Sequence, residues 1–458
     1  MALFDSADSR PIHFLGIGGA GMSALALIAC RRGMSVTGCD ADPSGAADLA
    51  ALGVSVAGGH SPTHVENARA VVYTAAVPSD HPELARARAL GLPTVPRKLA
   101  LAELIAGRTV LAVSGTHGKT TTTVMATEAL AALGREPTGV AGGRVAGWGG
   151  NARIAGDRLF VVEADEYDKA FLTLSPAVAI VNNVEPDHLE CYGTVAALEA
   201  AFVEFAGRAE RVFIGGDDPG AARVRAALGP QAVTFGVGPD ADIPIRGIAQ
   251  SATETSARVT LPDVGTVMLR LRVPGVHNLR NAVGALAAAL HLAPGDATPA
   301  LEALRAFGGV GRRFERLGEA AGVAVVDDYA HHPSELVATL GAARQAYPGR
   351  RLVAVFQPHL YSRTALHGAS MGEALAEADL VLVTEVYAAR EQPMPGVSGR
   401  DVAEAVLRAG TRAVFEPDRA AIGRRLLSQL KPGDVVLTLG AGDITRLGPE
   451  LLRDLRAA

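Results

Sequence analysis

Short runs of consecutive apolar residues alternate with longer Ala/Leu-rich stretches along most of the chain. Unbroken apolar runs read as strands buried on both faces and the longer stretches as covering helices, so the alternation predicts parallel α/β sheets. The first block opens with a strand at Ile12–Ile17, a glycine-rich turn and a helix reaching about Arg32. A strand at Ser35–Asp40 follows, and the alternation continues to about Leu104. A strand at Val110–Ser114 begins a second block, which runs through Phe160–Glu163, Val178–Val181 and Val212–Gly215. Val, Thr and Arg alternate around residues 240–275, a period that predicts antiparallel strands. Helices near His277–Leu292 and Pro299–Phe307 close the block. A third begins after Gly308–Arg313, with strands expected at Val323–Asp328, Leu352–Phe356, Leu380–Thr384 and Val435–Leu439. The expectation is three α/β domains, at residues 1–105, 106–310 and 311–458, without internal repeats or low-complexity tracts.

Composition narrows the class. The 458 residues are 48% hydrophobic and 20% charged, a balance that builds cores and does not keep a chain disordered. Lys+Arg 43 against Asp+Glu 48 gives a net charge of -5, which argues against a dedicated nucleic-acid binder while allowing a local basic pocket. No apolar run approaches the roughly 20 residues of a membrane span, and Met1–Arg10 has no basic-then-apolar block like that of a secretory leader. A cytoplasmic protein without membrane insertion is expected. Cys30, Cys39 and Cys191 form an odd set with no C-x-x-C pairing, which reads as reduced thiols, not a disulfide frame or a zinc site. Lysine occurs only at Lys98, Lys119, Lys169 and Lys431.

Two glycine loops carry the chemistry. Val110-Leu-Ala-Val-Ser-Gly115-Thr116-His117-Gly118-Lys119-Thr120-Thr121 is a strand, a glycine loop and a helix start. Its glycines let backbone amides converge on a polyphosphate, and the helix terminus adds partial positive charge. Lys119 would neutralise the β/γ phosphates and the Thr120 hydroxyl would hold Mg²⁺, so ATP binding is expected although only the Gly-Lys-Thr end matches the longer P-loop pattern. Two acid-bearing strand ends are candidates for the metal: Val161-Val-Glu163-Ala-Asp165-Glu166, and Val181-Asn-Asn-Val-Glu-Pro-Asp187-His188. The other loop, Gly16-Ile-Gly18-Gly19-Ala20-Gly21-Met22, lies between a strand and a helix, with Asp40 closing the next strand. Such a loop suits a dinucleotide-dependent dehydrogenase and a nucleotide-sugar site about equally.

Six motifs in order, Gly16-x-Gly-Gly-x-Gly-Met, Gly115-Thr-His-Gly-Lys-Thr, Glu163-Ala-Asp-Glu, Asn183-x-x-x-Asp187-His188, His277-Asn278-x-x-Asn281 and Asp327-Asp-Tyr-Ala-His-His-Pro333, resemble the Mur ligases over nearly the whole chain. The resemblance implies a Rossmann-like UDP-binding domain, a P-loop ATPase-like central domain and a Rossmann-like C-terminal domain. The implied reaction joins L-alanine to the lactyl carboxylate of UDP-N-acetylmuramate in peptidoglycan synthesis, through an acyl phosphate made from ATP. By the same resemblance the first glycine loop, with Asp40, holds the diphosphate of the UDP-sugar. Thr120, Glu163 and His188 hold Mg²⁺, and His277 with Asn281 flanks the adenine. Asp328, Tyr329 and His331 line the amino-acid and nucleotide cleft, His331 being the candidate to orient or deprotonate the amine. His359 and Arg363 contact substrate carboxylate or phosphoryl oxygens. Leu360 stands where the family often has arginine, and Glu166-Tyr-Asp-Lys-Ala-Phe171 departs from the commoner Glu-Ser-Asp-Ala-Ser-Phe. Several later-acting members carry a carbamylated lysine after the metal-binding histidine, and this chain has no lysine between Lys169 and Lys431 to serve. The nearest rival within the resemblance is a ligase attaching a recovered tripeptide to the same sugar nucleotide.

Overall fold

The protein is described by a computed structural model covering residues 3–4, 8–389 and 391–457. Part of the amino-terminal stretch read above for a leader therefore lies outside the described residues. Among those described, no helix is long and apolar enough to cross a membrane.

The described strands form three sheets. The first contains β1 (Ile12–Leu15), β2 (Val36–Asp40), β3 (Ser55–Gly58), β4 (Ala70–Tyr73) and β5 (Thr94–Pro96), in the order β3-β2-β1-β4-β5. All four pairings are parallel. The order reverses at β1, so the crevice outside the carboxyl ends of β1 and β4 is where such a sheet binds ligands. β1 ends two residues short of the expected Ile17. Gly16 turns with φ +86°, and the amides of Gly16 and Ile17 both donate to the Cys39 carbonyl instead of continuing the strand.

The second sheet has ten strands. They are β6 (Thr109–Ser114), β7 (Pro137–Val145), β8 (Gly150–Arg153), β9 (Leu159–Glu163), β10 (Val178–Val181), β11 (Arg211–Gly215), β12 (Ala232–Gly236), β13 (Ile243–Gln250), β14 (Thr255–Leu261) and β15 (Gly265–Leu271). Their order is β15-β14-β13-β12-β11-β10-β6-β9-β7-β8. β6 is central, parallel to β10 and β9, and its every residue from Val110 to Ser114 is buried. The alternating stretch at 240–275 resolves into β13–β15, joined by turns at 251–254 and 262–264 too short for anything but antiparallel pairing.

The third sheet has the order β16 (Glu315–Ala320), β17 (Val323–Asp328), β21 (Val435–Leu439), β18 (Leu352–Phe356), β19 (Leu380–Val383), β20 (Ala413–Phe415). Only the β16–β17 pair is antiparallel. β16 and β20, which the apolar pattern did not reveal, are the edge strands: their residues are half-buried or exposed, so they lack the continuous apolar signature of β17, β18 and β21.

Three sheets do not make three equally separate bodies. The chain divides into two compact units. One is Met1–Ile248, Ala257–Arg270 and Asn278–Phe307; the other is Ala249–Ser256, Leu271–His277 and Gly308–Ala458. The first sheet and most of the second thus share one unit. Asn151 on β8 donates to the Ala20 carbonyl and the Ser23 hydroxyl of the helix Ala20–Arg31, at 3.2 and 2.9 Å, and Lys98 holds the Asp168 carboxylate at 2.8 Å.

Candidate active site

The phosphate loop runs from the end of β6 to the helix Lys119–Ala132. Gly115 and Gly118 have φ +132° and +79°, backbone states that L side chains rarely adopt. The loop is braced from the β10 side: Thr116 N donates to the Asn183 carbonyl at 3.1 Å and His117 N to Asn183 Oδ1 at 2.8 Å. Asn182 Nδ2 reaches the His117 carbonyl at 3.2 Å. Asn281, from the helix Val276–Leu292, closes the other side, with its Oδ1 only 2.5 Å from where a Cβ on Gly118 would stand.

Lys119 folds back over this loop. Its Nζ donates to the Gly115 carbonyl at 2.8 Å and to both oxygens of Glu166 at 2.9 and 2.8 Å. Burial works against its charge, but the carboxylates of Glu166, Asp165 and Glu163 outweigh it and hold the ammonium above the ordinary lysine range. Tyr192, whose hydroxyl donates to the Glu166 carbonyl at 2.6 Å, fixes the backbone that presents the carboxylate. Glu163, at the end of β9, accepts from Gly142 N at 2.6 Å. Thr120 is buried at the helix start. His188 has left-handed backbone, φ +53°, and its ring meets Tyr167 at 5.1 Å. Among the described residues, the groups of three or more His, Cys, Asp and Glu ligand atoms that converge within 4.8 Å do not include Glu163 or His188, so these two sit near the loop without forming a closed cage.

The first glycine loop is held from below by Asp40. Its Oδ2 accepts from Gly18 N at 2.9 Å and its Oδ1 from Asp42 N at 3.0 Å, so the acid expected to meet a ribose or diphosphate anchors the loop backbone here. A Cβ on Gly21 would stand 2.9 Å from Arg97 Nη1, which places that guanidinium against the loop. Arg97 Nη2 lies 3.8 Å from the Asp165 carboxylate, so one arginine connects the first glycine loop to the acids beside Lys119.

In the second unit, the carboxyl ends of β17, β18 and β21 carry the remaining candidates. Asp328 accepts from Phe314 N at 2.6 Å and Ala330 N at 2.8 Å. Burial pushes its carboxyl up to about 6, against the pull of Arg313 and of those amides. Asp327 takes the Thr438 and Thr445 hydroxyls at 2.5 and 2.8 Å. Arg312 and Arg313 stand over the Tyr329 ring at 4.8 and 5.2 Å. His331 Nδ1 lies 2.8 Å from the Tyr329 carbonyl and 3.2 Å from Glu335, and its ring meets His359 at 5.9 Å. Arg363 Nη1 is 3.2 Å from His359 Nδ1, and the His359 ring stacks on Tyr387. His277 stands over Gly275. Leu360 is buried with φ +66°, so an apolar side chain and not a cation fills that position.

Three family models match in succession: the Mur ligase family catalytic domain over residues 11–109, the Mur ligase middle domain over 113–289, and the Mur ligase glutamate ligase domain over 312–442. The chain belongs to the Mur ligase family. It is 46% identical to the UDP-N-acetylmuramate–L-alanine ligase of Kineococcus radiotolerans, over 96% of this chain and 95% of that protein. The corresponding protein of Thermobifida fusca is 44% identical, over 97% and 96%. Among solved structures, the UDP-N-acetylmuramate-alanine ligase of Thermotoga maritima has a TM-score of 0.85 and 31% identity, covering 98% of this chain and 99% of that one. A murein peptide ligase of Psychrobacter arcticus has a TM-score of 0.74 and 25% identity, covering 98% and 99%.

Within this Mur ligase the structure brings Gly115–Thr121, Asn281 and Glu163 around the phosphate loop, and Tyr329, His331, His359 and Arg363 into one cluster. Sequence reading missed Arg97, Asn151 and the bracing role of Asn182–Asn183, and it did not single out Glu166 as the partner of Lys119. The Asn-Asn pair directly after an apolar run was a usable signal, since amides that end a buried strand must find partners.

Proposed function

We propose that the chain joins L-alanine to the lactyl carboxylate of UDP-N-acetylmuramate, converting ATP to ADP and phosphate, as an amide-forming ligase of cytoplasmic peptidoglycan synthesis. The observation that carries this reading is the 46% identity to a UDP-N-acetylmuramate–L-alanine ligase, which extends over 96% of the chain and not just over a nucleotide loop. We assign residues 1–105 to the UDP-sugar, 106–310 to ATP and 311–458 to the amino acid and nucleotide.

A carboxylate is a poor acylating agent. Its oxygen attacks the γ-phosphorus, ADP leaves, and the resulting acyl phosphate is attacked by the neutral amine of alanine. The C–O bond to phosphate then breaks and the amine loses its proton. Lys119 and the amides of Gly115–Thr121 stabilise charge on the transferring phosphoryl group, for which Lys119 exchanges Glu166 for phosphate oxygens. The hydroxyl of Thr120 and the carboxylate of Glu163 suit a hard cation that keeps several waters, and with His188 they would hold Mg²⁺. When bound, the ion neutralises phosphoryl charge. Gly16–Met22 cradle the UDP diphosphate, Asp40 fixing the loop through Gly18 and Arg97 adding positive charge. Asn281 and His277 flank adenine, with Asp328 setting the backbone beside the nucleotide. His331, held by Glu335, takes the amine proton, and Tyr329, His359 and Arg363 hold carboxylate or phosphoryl oxygens.

The test is phosphate release, expected only when ATP, UDP-N-acetylmuramate and L-alanine are all present. Glycine and L-serine should be poorer acceptors, since one methyl or hydroxyl is worth only about 1–3 kcal/mol of discrimination. A γ-glutamyl tripeptide accepted in preference to L-alanine would replace this reading with that of a recycling ligase.

A further inference from the structure

A second cluster of ligand-type side chains lies under the first glycine loop, apart from the phosphate chemistry. His13 comes from β1, Cys39 from β2, His64 from the short turn Pro62–Val65 and Glu83 from the helix Pro82–Ala89. Their ligand atoms all lie within 4.8 Å of one another. His13 and Glu83 are 2% and 0% exposed and Cys39 is 0% exposed, so three of the four are withdrawn from solvent.

We propose that His13, Cys39, His64 and Glu83 form a zinc site. The separations of the three buried donors approach those of a tetrahedron: His13 Nε2 to Cys39 Sγ is 3.4 Å and His13 Nε2 to Glu83 Oε2 3.5 Å, while Cys39 Sγ to Glu83 Oε2, at 3.1 Å, is a few tenths of an ångström short. With Zn–S near 2.3 Å and Zn–N or Zn–O near 2.0–2.1 Å, the edges of a tetrahedral site are roughly 3.3–3.6 Å. His64 Nδ1 lies 3.0 Å from the other carboxylate oxygen, Glu83 Oε1, and is assigned the fourth corner as the histidine whose ligand atom lies within 4.8 Å of the other three. His60 Nδ1 lies 3.3 Å from Cys39 Sγ and 3.8 Å from Glu83 Oε1.

The supporting contacts are those of a metal site. Thr37 Oγ1 lies 3.0 Å from His13 Nδ1, which fixes the ring and leaves Nε2 aimed at the cluster. Ser61 N donates to Glu83 Oε1 at 2.7 Å and orients the carboxylate. His64 and His60 are 25% and 32% exposed and form the solvent side, through which an ion would enter. One thiolate, two imidazoles and one carboxylate select Zn²⁺ over Mg²⁺, whose preference is for oxygen and water. On this proposal Cys39 is a ligand, in departure from its reading as a plain reduced thiol: the four ligands come from four separate elements, so no C-x-x-C spacing announces them. Because the Cys39 carbonyl accepts from Gly16 and Ile17, a bound ion would tie β1, β2 and the helix Pro82–Ala89 together directly beneath the nucleotide loop.

The experiment uses the full chain carrying C30S/C191S, reduced and stripped of metal, titrated with Co²⁺ and then Zn²⁺. One equivalent of Co²⁺ should produce sulfur-to-cobalt charge-transfer absorption in the near ultraviolet, which Zn²⁺ then abolishes. C39S should remove the band and H64Q should weaken binding at least about tenfold. Zinc should raise the thermal midpoint of the C30S/C191S chain by several degrees and leave that of C39S unmoved. X-ray absorption at the zinc edge, which needs no ligand variant to fold, should show one sulfur at about 2.3 Å among nitrogen and oxygen neighbours. Absence of the band and of the sulfur shell, a band surviving C39S, or undiminished affinity in H64Q with loss in H60Q would overturn this ligand set.

Discussion

Lys119 is held by an acid that it would have to leave in the role proposed for it on ATP. In the resting site its ammonium spans the Gly115 carbonyl and both Glu166 oxygens, with Glu166 2% exposed. Lys119→Ala should therefore do two things. Removing one transition-state contact should cost about a hundredfold to a thousandfold in rate. Leaving Glu166 buried without its cation should also cost up to about 3–5 kcal/mol of stability. The double variant K119A/E166Q should recover much of the stability and none of the rate, while UDP-N-acetylmuramate affinity, read by calorimetry, stays near wild type throughout. Turnover close to wild type in K119A would refute the ATP assignment. Asp328 gives a second test at this scale. Its folded value, raised from 3.8 to about 6 by burial, means that the native state keeps its proton longer than the unfolded chain. As pH rises through that window the unfolded state ionises first and stability falls, by about 3 kcal/mol once pH exceeds the folded value. In urea unfolding, D328N should gain on wild type by about that amount between pH 4 and 7. A constant difference would show that Asp328 does not titrate in that window.

At the scale of the element, the phosphate loop owes its path to two glycines and to neighbours that leave no room for a side chain. An alanine at Gly118 would need φ +79° and would put its Cβ 2.5 Å from Asn281 Oδ1 and 3.0 Å from Asn182 Nδ2. The loop must then move. Gly134, at the end of the same helix, has φ +76° and nothing within 4 Å of its Cβ position, so it isolates the backbone term. Gly134→Ala should cost about 1–2 kcal/mol of stability from left-handed strain, with ATP binding intact. Gly118→Ala should carry the same strain and also weaken ATP binding by about tenfold or more, because the amides no longer converge. Equal ATP affinities in the two variants would show that the packing of Asn281 and Asn182 on the loop has no bearing on nucleotide binding.

At the scale of the whole molecule, the scarcity of lysine becomes a constraint on the chemistry. The described surroundings of three of the four are already committed: Lys98 to Asp168, Lys119 to Glu166, and Lys169 over the Tyr192 ring at 5.6 Å. The helices Leu189–Tyr192 and Val195–Gly207, which follow His188, contain no lysine. An arginine guanidinium stays protonated and cannot be carbamylated. Activity should therefore be the same after exhaustive removal of CO₂ and after bicarbonate is restored at constant pH. A collapse reversed by bicarbonate would require a carbamyl ligand that this chain has no evident means to supply.

The sequence by itself determined the parallel α/β class, the buried strands β1, β2, β6, β9, β10, β11, β17, β18, β19 and β21 and both glycine loops, because strands covered on both faces must be continuously apolar and phosphate loops need glycine at fixed offsets. β4, β7, β8 and β12, though largely buried, were not named. It also determined which residues stand at the strand ends, Glu163 and Asp328 among them, since those follow directly from the apolar runs. The edge strands β16 and β20 were illegible, because half-exposed strands lack that signature. Only the tertiary structure decided what depends on strand order and not on chain order. Placing β10 beside β6 puts Asn182 and Asn183 against a loop more than sixty residues earlier in the chain. Arg97 meets the first glycine loop, Glu166 captures Lys119, and Asp40 turns to the Gly18 amide by the same kind of juxtaposition. The cluster of His13, Cys39, His64 and Glu83 is the extreme case: no segment by itself carries a ligand spacing, and only the packing of two strands, a turn and a helix makes the four neighbours.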